Sequence, residues 1–246
     1  MNTLNKSALF ILATTFISNT SQATETDSNL GFKGQGEAGL TDSTGNTTST
    51  SLFAALKLDY LQTDYEVKST FEVDYKSENS VQTQERYRIA SQYNHFYTAD
   101  HQDYSFAGVK LEKSFFEDID LDSMINLGYG KKLFEDQKTT FISEISLGQQ
   151  NTQYATSSSS QNSTQTFAQL SLNIKHTLNE QVSFAQNLTY LSGAEQAKLE
   201  SDTSFIIHVA DNIDLNISYK YRHNNAPAVG IKNTDAQTIM TLAYQF

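Results

Sequence analysis

Cysteine is absent from the chain, which excludes a disulfide framework and any lipid-anchored cysteine behind a signal sequence. Proline occurs once, too rarely for a linker-rich protein. Basic residues are also scarce: 17 Lys and Arg stand against 28 Asp and Glu, a formal net charge of −11. Such a surface offers no basic face for nucleic acid. Long hydrophobic runs are missing too. The best candidate, ALFILATTFI at 8–17, is too short for a spanning helix. What is present is a heavy aromatic load, 13 Tyr and 15 Phe, in a chain whose mean hydropathy is −0.48. Disordered chains lack aromatics. A polar, aromatic-rich and proline-poor composition predicts many strands.

Residues 1–23 differ from the rest. Lys6 precedes the apolar run, and Ser21-Gln22-Ala23 places small residues where a signal peptidase reads them. This pattern predicts a secretory signal peptide, with residues 24–246 forming the exported domain. Loss of Lys6 makes the mature chain one unit more acidic.

From about residue 30 onward, apolar residues recur at every second position in segments of roughly 10 residues, the length of a membrane-crossing β-strand. The clearest are 47–60 (TTSTSLFAALKLDY), 65–76 (YEVKSTFEVDYK) and 213–222 (IDLNISYKYR). In the second, Tyr65, Val67, Phe71, Val73 and Tyr75 alternate with Glu66, Lys68, Glu72, Asp74 and Lys76. A strand separates these two sets onto opposite faces, and a helix does not. Weaker versions cover 30–40, 84–97, 104–113, 121–133, 139–148, 165–176, 182–191, 198–209 and 235–246. The segment 104–113 gives no firm choice of face. The expected fold is all-β: a closed antiparallel transmembrane barrel of about 12 strands in up-and-down order, an even number as bacterial barrels require.

With the amino end taken as periplasmic, the outer connections include 41–46, 149–163 and 223–233, whereas 61–64, 177–181 and 210–214 are tight. That asymmetry is expected of an outer-membrane barrel. A secreted β-sandwich is the competitor, but its strands average nearer half this length. Aromatics also cluster at strand ends (Tyr60, Tyr65, Tyr75, Tyr93, Tyr97, Tyr190, Phe246), where membrane-interface girdles sit. The final strand ends in TIMTLAYQF, with Leu242, Tyr244 and Phe246 on one face. This stripe is expected to act as the carboxy-terminal signal read by the barrel-assembly machinery.

Two stretches carry a family likeness. Gly34-x-Gly36-Glu37-x-Gly39-Leu40 with Thr44-Gly45-Asn46-Thr47, then Lys232-x-x-Asp235 and Leu242-x-Tyr244-x-Phe246, resemble the YdiY-like "salt-induced outer membrane protein" family. The resemblance implies a Gram-negative outer-membrane barrel linked by name to salt or acid stress. It brings no catalytic residues and no cofactor. The expected partners are outer-membrane lipid and lipopolysaccharide, and the assembly machinery during insertion.

If the apolar face meets lipid, the opposite face lines a lumen. Glu66, Lys68, Glu72, Asp74, Arg86, Arg88, Lys220 and Arg222 all fall on that inward register, and acids and bases balance along it as a whole. A selective pore displays a surplus of one sign. Matched charges instead predict a cross-braced filling, because enclosed charges need partners. The expectation is an obstructed barrel, at best a narrow small-solute path.

Other chemistry finds little support. There is no G-x-S-x-G, and none of the five histidines stands at a telling distance from a serine. A barrel lipid hydrolase would have to use His208 or His223. No H-E-x-x-H or EF-hand loop occurs. Glu117, Asp118 and Asp120 read more readily as a solvated acidic run than as a cation site. A receptor or adhesin would rely on the Ser/Gln/Asn-rich segment 149–163, in which Tyr154 is the lone aromatic.

Overall fold

A computed structural model describes residues 30–43, 49–79, 81–155 and 158–246, without the side chains of 41–43. The predicted signal peptide and the Thr44-Gly45-Asn46-Thr47 motif lie outside the described residues.

Alternation of apolar and polar residues has one simple outlet in a long strand: one face toward lipid or a core, the other away from it. Twelve strands form: β1 (Gly31–Ser43), β2 (Ser49–Leu61), β3 (Tyr65–Glu78), β4 (Val81–Phe96), β5 (Asp103–Ser114), β6 (Ile119–Glu135), β7 (Thr139–Tyr154), β8 (Ser163–Thr177), β9 (Val182–Gly193), β10 (Ala197–Ala210), β11 (Ile213–Asn224) and β12 (Thr234–Gln245). Each pairs antiparallel with its sequence neighbours, and β1 meets β12 to close the cylinder. The expected closed up-and-down barrel is therefore the fold. At 12 to 17 residues per strand, it is not a sandwich.

The outer wall is apolar. Phe32, Leu56, Tyr60, Phe71, Ile89, Leu127 and Leu147 all stand exposed on it. Tyr65 stacks on Tyr93 with ring centroids 5.7 Å apart, and Tyr60 lies 6.2 Å from Tyr65, an aromatic cluster at the edge near residues 62–64. Phe246 and Tyr244 stack at 6.3 Å on the same outward face as Leu242.

Several strands run past their apolar alternation. β7 continues through Gln149–Tyr154 and β8 begins at Ser163, so nearly half of the segment expected as the 149–163 loop is strand, and the connection shrinks to 155–162. Ladder hydrogen bonds do not depend on which faces are apolar, so polar residues on both faces extend a strand beyond the apolar band. The expected asymmetry of connections weakens for the same reason. Those at 79–80 and 194–196 are as tight as 62–64 and 211–212 on the opposite side, where 97–102 is longer. Among the described residues, 155–162 and 225–233 are the long outer connections.

Two inner turns share a device. The Asp136 carboxylate accepts from the Lys138 and Thr139 backbone N–H groups at 2.8 and 2.6 Å, and these donors hold its pKa below the usual carboxylate range. The Asn179 side-chain oxygen accepts from Gln181 and Val182 in the same way, both at 2.9 Å. Each is an Asx turn that reverses the chain cheaply.

The undecided segment 104–113 is resolved by its register. Tyr104 pairs with Gly130 and Phe106 with Gly128. A Cβ at either glycine would overlap the facing ring. The two glycines leave room for aromatic side chains directed into the barrel, where Phe96, Tyr104 and Phe106 form a buried cluster with Leu61 and Ile142 packed on it.

Candidate functional site

The interior is built from the polar registers of the strands. Neighbouring strands place Glu72 beside Arg88 and Arg88 beside Glu112. The longer side chains then reach across. The Arg88 guanidinium donates to Glu112 at 2.7 Å and to both carboxylate oxygens of Glu200 at 3.1 and 3.2 Å. Arg88 sits on β4 and Glu200 on β10, on opposite sides of a twelve-stranded ring. A direct contact between them crosses the lumen.

A second brace runs from β11. Lys220 contacts Glu72 at 3.2 Å and Asp202 at 3.5 Å, and its ammonium lies 4.5 Å from the centroid of the Phe53 ring. A third joins β10 to β6, with Lys198 at 3.1 Å from Asp122. Asp122 is almost fully buried and also accepts from Gln150 and Thr152, and Gln165 donates onward to the Gln150 side-chain oxygen. Charges removed from water are costly unless paired and hydrogen-bonded, and these three anchors meet that condition. Between braces, Asp74 accepts from Gln84 and Gln237 at 2.6 and 2.9 Å, and Glu66 accepts from Asn94 and Lys68 at 2.9 and 3.0 Å.

Arg86 is 2 % exposed, with Glu112 at 3.2 Å and Glu117 at 3.0 Å. These are ion-pair contacts whose angles fall short of hydrogen bonds, so its N–H groups are electrostatically matched but unsatisfied. Arg222 makes no ion pair among the described residues. It lines a cavity of only about 20 Å³, together with Glu117, Lys198 and Ala228, beneath the connection 225–233. Ala228 is buried there, and Val229 donates its N–H to the Ser160 hydroxyl at 3.0 Å. The two long outer connections thus lean together over that end of the barrel. On the other side of the braces lies a cavity of about 560 Å³, lined by Lys68, Gln92, Tyr104, Glu144, Gln169 and Asn173 among others.

Sequence reasoning missed the apolar part of this interior. Phe96 could have been found from parity, since it shares the register of Arg86 and Arg88 on β4. Phe53 could have been found likewise, opposite in parity to Leu52 and Leu56. Glu117 and Asp120 pair with Arg86 and Lys113, and among the described residues no group of three or more His, Cys, Asp or Glu could hold a metal ion. The His208 ring nitrogen contacts Asp214 at 3.0 Å, and His223 contacts the Thr234 hydroxyl at 2.9 Å. Among the described residues, neither has a serine hydroxyl as partner.

A family model described as "Protein of unknown function, DUF481" matches residues 36–246. The chain belongs to this family. Its members' description states no activity, and no curated protein matches the chain. Similar solved structures include two with the same architecture. The NanC porin, in a rhombohedral crystal form, is 14 % identical with a TM-score of 0.51, over 87 % of this chain and 98 % of that one. The COG4313 outer-membrane channel of Pseudomonas putida F1 is 12 % identical with a TM-score of 0.52, over 93 % and 100 %. At such identities the likeness concerns the fold, which is that of outer-membrane β-barrels.

Proposed function

We propose that this DUF481 member is an integral barrel of the Gram-negative outer membrane whose lumen is braced shut at mid-height, leaving at best a narrow path for small solutes. The observation that carries this reading is the Arg88–Glu200 contact across the full width of the ring. A conducting pore needs a continuous water path and usually displays a surplus of one charge sign along it. Here the charges at the constriction neutralise one another, and Lys220 with Glu72 narrows the remaining space. The similar structures are a porin and an outer-membrane channel, which fits a barrel of this kind without naming a solute for this chain.

The resemblance to the salt-induced YdiY-like family supports a role in the envelope response to salt or acid stress, structural rather than catalytic. The same reading takes residues 1–23 as a cleaved signal peptide. Outer-membrane lipid and lipopolysaccharide are its surroundings, and Leu242, Tyr244 and Phe246 are the stripe read during assembly. All three of those side chains stand exposed on the outer wall, where a recognising surface can reach them.

The test has two parts. Density-gradient fractionation with heat-modifiable gel mobility checks that the protein is a folded barrel in the outer membrane; recovery in the soluble periplasmic fraction would refute the location. Planar-bilayer recording checks the lumen, with small or absent conductance and little ion selectivity expected. Large, steady, strongly selective steps would overturn the obstructed reading.

A further inference from the structure

The lumen is packed on one side of the braces and open on the other. Beyond the Arg88–Glu200 contact, toward the outer connections, Glu112, Ser114, Asp122, Gln150, Thr152 and Gln165 share the inward register and are buried. Toward the other end, where β1 starts and β12 ends, inward side chains stand open. Lys57 and Lys68 are 47 % and 45 % exposed there, and Lys175 and Asn187 are exposed as well. The cavity of about 560 Å³ belongs to this open half, and Glu72, Arg88 and Glu200 close it off on the outer side. It is a blind pocket, entered from the end of the barrel taken as periplasmic.

Its wall carries hydrogen-bonding groups that the protein leaves partly unused. Glu144 accepts from the Gln92 amide and the Tyr104 hydroxyl at 2.9 and 2.7 Å, both through Oε1. Among the described residues its Oε2 has no donor, and no cation pairs with it as Lys220 does with Glu72 or Arg88 with Glu200. Asn126 donates to the Ser146 hydroxyl at 3.0 Å and Gln169 to the Ser171 hydroxyl at 3.3 Å, which leaves both amide oxygens without a donor among the described residues. Asn173 makes no side-chain hydrogen bond among them at all. The fixed charges of the lining cancel, with Lys68, Arg88 and Lys110 against Glu72, Glu144 and Glu200. Net charge therefore draws an ion of neither sign, while unused acceptors remain in surplus.

We propose that this pocket binds a small neutral polyhydroxylated molecule, of monosaccharide size, through Asn126, Glu144, Gln169 and Asn173. The proposal goes beyond the obstructed barrel and rests on that reading for its closed outer side and its periplasmic mouth. Hydroxyl groups suit such a wall because each one donates and accepts. A hydroxyl on Glu144 Oε2 makes a charge-assisted hydrogen bond, stronger than a neutral one. Tyr104, Met124 and Ile142 add an apolar flank for the C–H face of a sugar ring. The volume falls within the range of about 300–1,000 Å³ typical of small-molecule pockets.

The chain has no cysteine, so an introduced thiol reports on one place. Thr70 lines the pocket without a side-chain partner among the described residues, and Ser114 is buried beyond the braces with its hydroxyl unpartnered. Thr70→Cys and Ser114→Cys are therefore near-isosteric reporters. Each full-length variant is refolded in a zwitterionic detergent without a sugar head group, checked by heat-modifiable mobility and treated with the small neutral reagent methyl methanethiosulfonate. Thr70→Cys should react readily and Ser114→Cys hardly at all. Excess glucose should slow the Thr70→Cys reaction severalfold. Its charged counterparts, glucuronate and (in mildly acidic buffer) glucosamine, should slow it much less. Adding Asn173→Leu, of similar volume, to Thr70→Cys should remove most of the glucose protection with gel mobility unchanged. Protection that is absent, no weaker with a charged sugar, or untouched by Asn173→Leu would overturn the proposal, as would a thiol at 70 no more reactive than the one at 114. Rapid reaction of Ser114→Cys with glucose protection intact would refute the obstructed barrel and uphold the sugar site, so the two failures are distinguishable.

Discussion

Between β6 and β7 the ladder runs from Ile119↔Tyr154 to Glu135↔Thr140, whereas between β1 and β12 it covers only Gln35–Ala38 and their partners. The same polymer rules operate in both places. What differs is the support behind the wall. Inside β6 and β7, Asp122, Gln150 and Gln165 form a buried hydrogen-bonded chain, and glycines on β6 receive the rings of Tyr104 and Phe106. Behind the outer part of the β1–β12 seam there is a cavity of about 330 Å³ instead. The closed flank and the seam should therefore respond differently to perturbation.

The largest effect is expected from breaking the brace that holds the closed side to its opposite wall. Arg88→Ala leaves Glu112 and Glu200 enclosed without their shared cation, a loss of about 3–5 kcal/mol for a buried pair broken on one side. Urea unfolding in lipid vesicles, followed by tyrosine fluorescence, reads this directly. Next comes the contrast between glycines. Gly130→Val drives a side chain into the Tyr104 ring and should cost about 1–3 kcal/mol by overpacking. Gly36→Val, where an added Cβ meets nothing within 4 Å, should stay within about 0.5 kcal/mol of the parent. Equal costs at the two positions would erase the distinction between a glycine packed under an inward ring and one that faces open space.

Hydrogen exchange sharpens the comparison without mutation. Backbone amides of Leu40 and Met240, which point toward each other beyond the last β1–β12 pair, are expected to exchange well before those of Leu127 and Leu147 in the β6–β7 ladder. The smallest effect belongs to a turn remote from both regions. Asp136→Ala removes the acceptor of two backbone N–H groups and should give a slight loss of stability at neutral pH. Because the folded-state pKa of Asp136 is lowered, its contribution is present above about pH 4, the unfolded carboxylate range, and fades as pH falls through the folded value. The parent and the variant should therefore converge in acid, as measured by urea midpoints across that range.

Much of this was legible in the residue pattern. Alternation in Leu52-x-Ala54-x-Leu56-x-Leu58-x-Tyr60 fixes both a strand and its lipid-facing side, and repetition along the chain fixes the barrel. Inward placement of Glu72, Arg88 and Lys220 follows from the same parity, but their partners do not. Nothing local in Arg88 points to Glu200, 112 positions away on the opposite wall. Tyr104 and Phe106 were opaque because YSFAGVKLEK is apolar on both faces, and only the facing glycines of β6 show where the rings go. The outer ends of β7 and β8 were misjudged as loop because polarity on both faces resembles a connection, while the backbone ladder carries on regardless. The short ladder between β1 and β12 joins the two ends of the described barrel, and no window of sequence contains it.

The central claim, that ion pairs span and obstruct the lumen, is tested most directly by recording single-channel currents for the wild type, Arg88→Ala, Glu200→Ala and the double variant in the same planar bilayers. The account predicts little or no conductance for the wild type and a clear rise in each single variant. The double variant should show no more than a small further gain, because either change alone opens the brace. A wild type that already conducts in large, steady steps, with currents unchanged by either substitution, would contradict it.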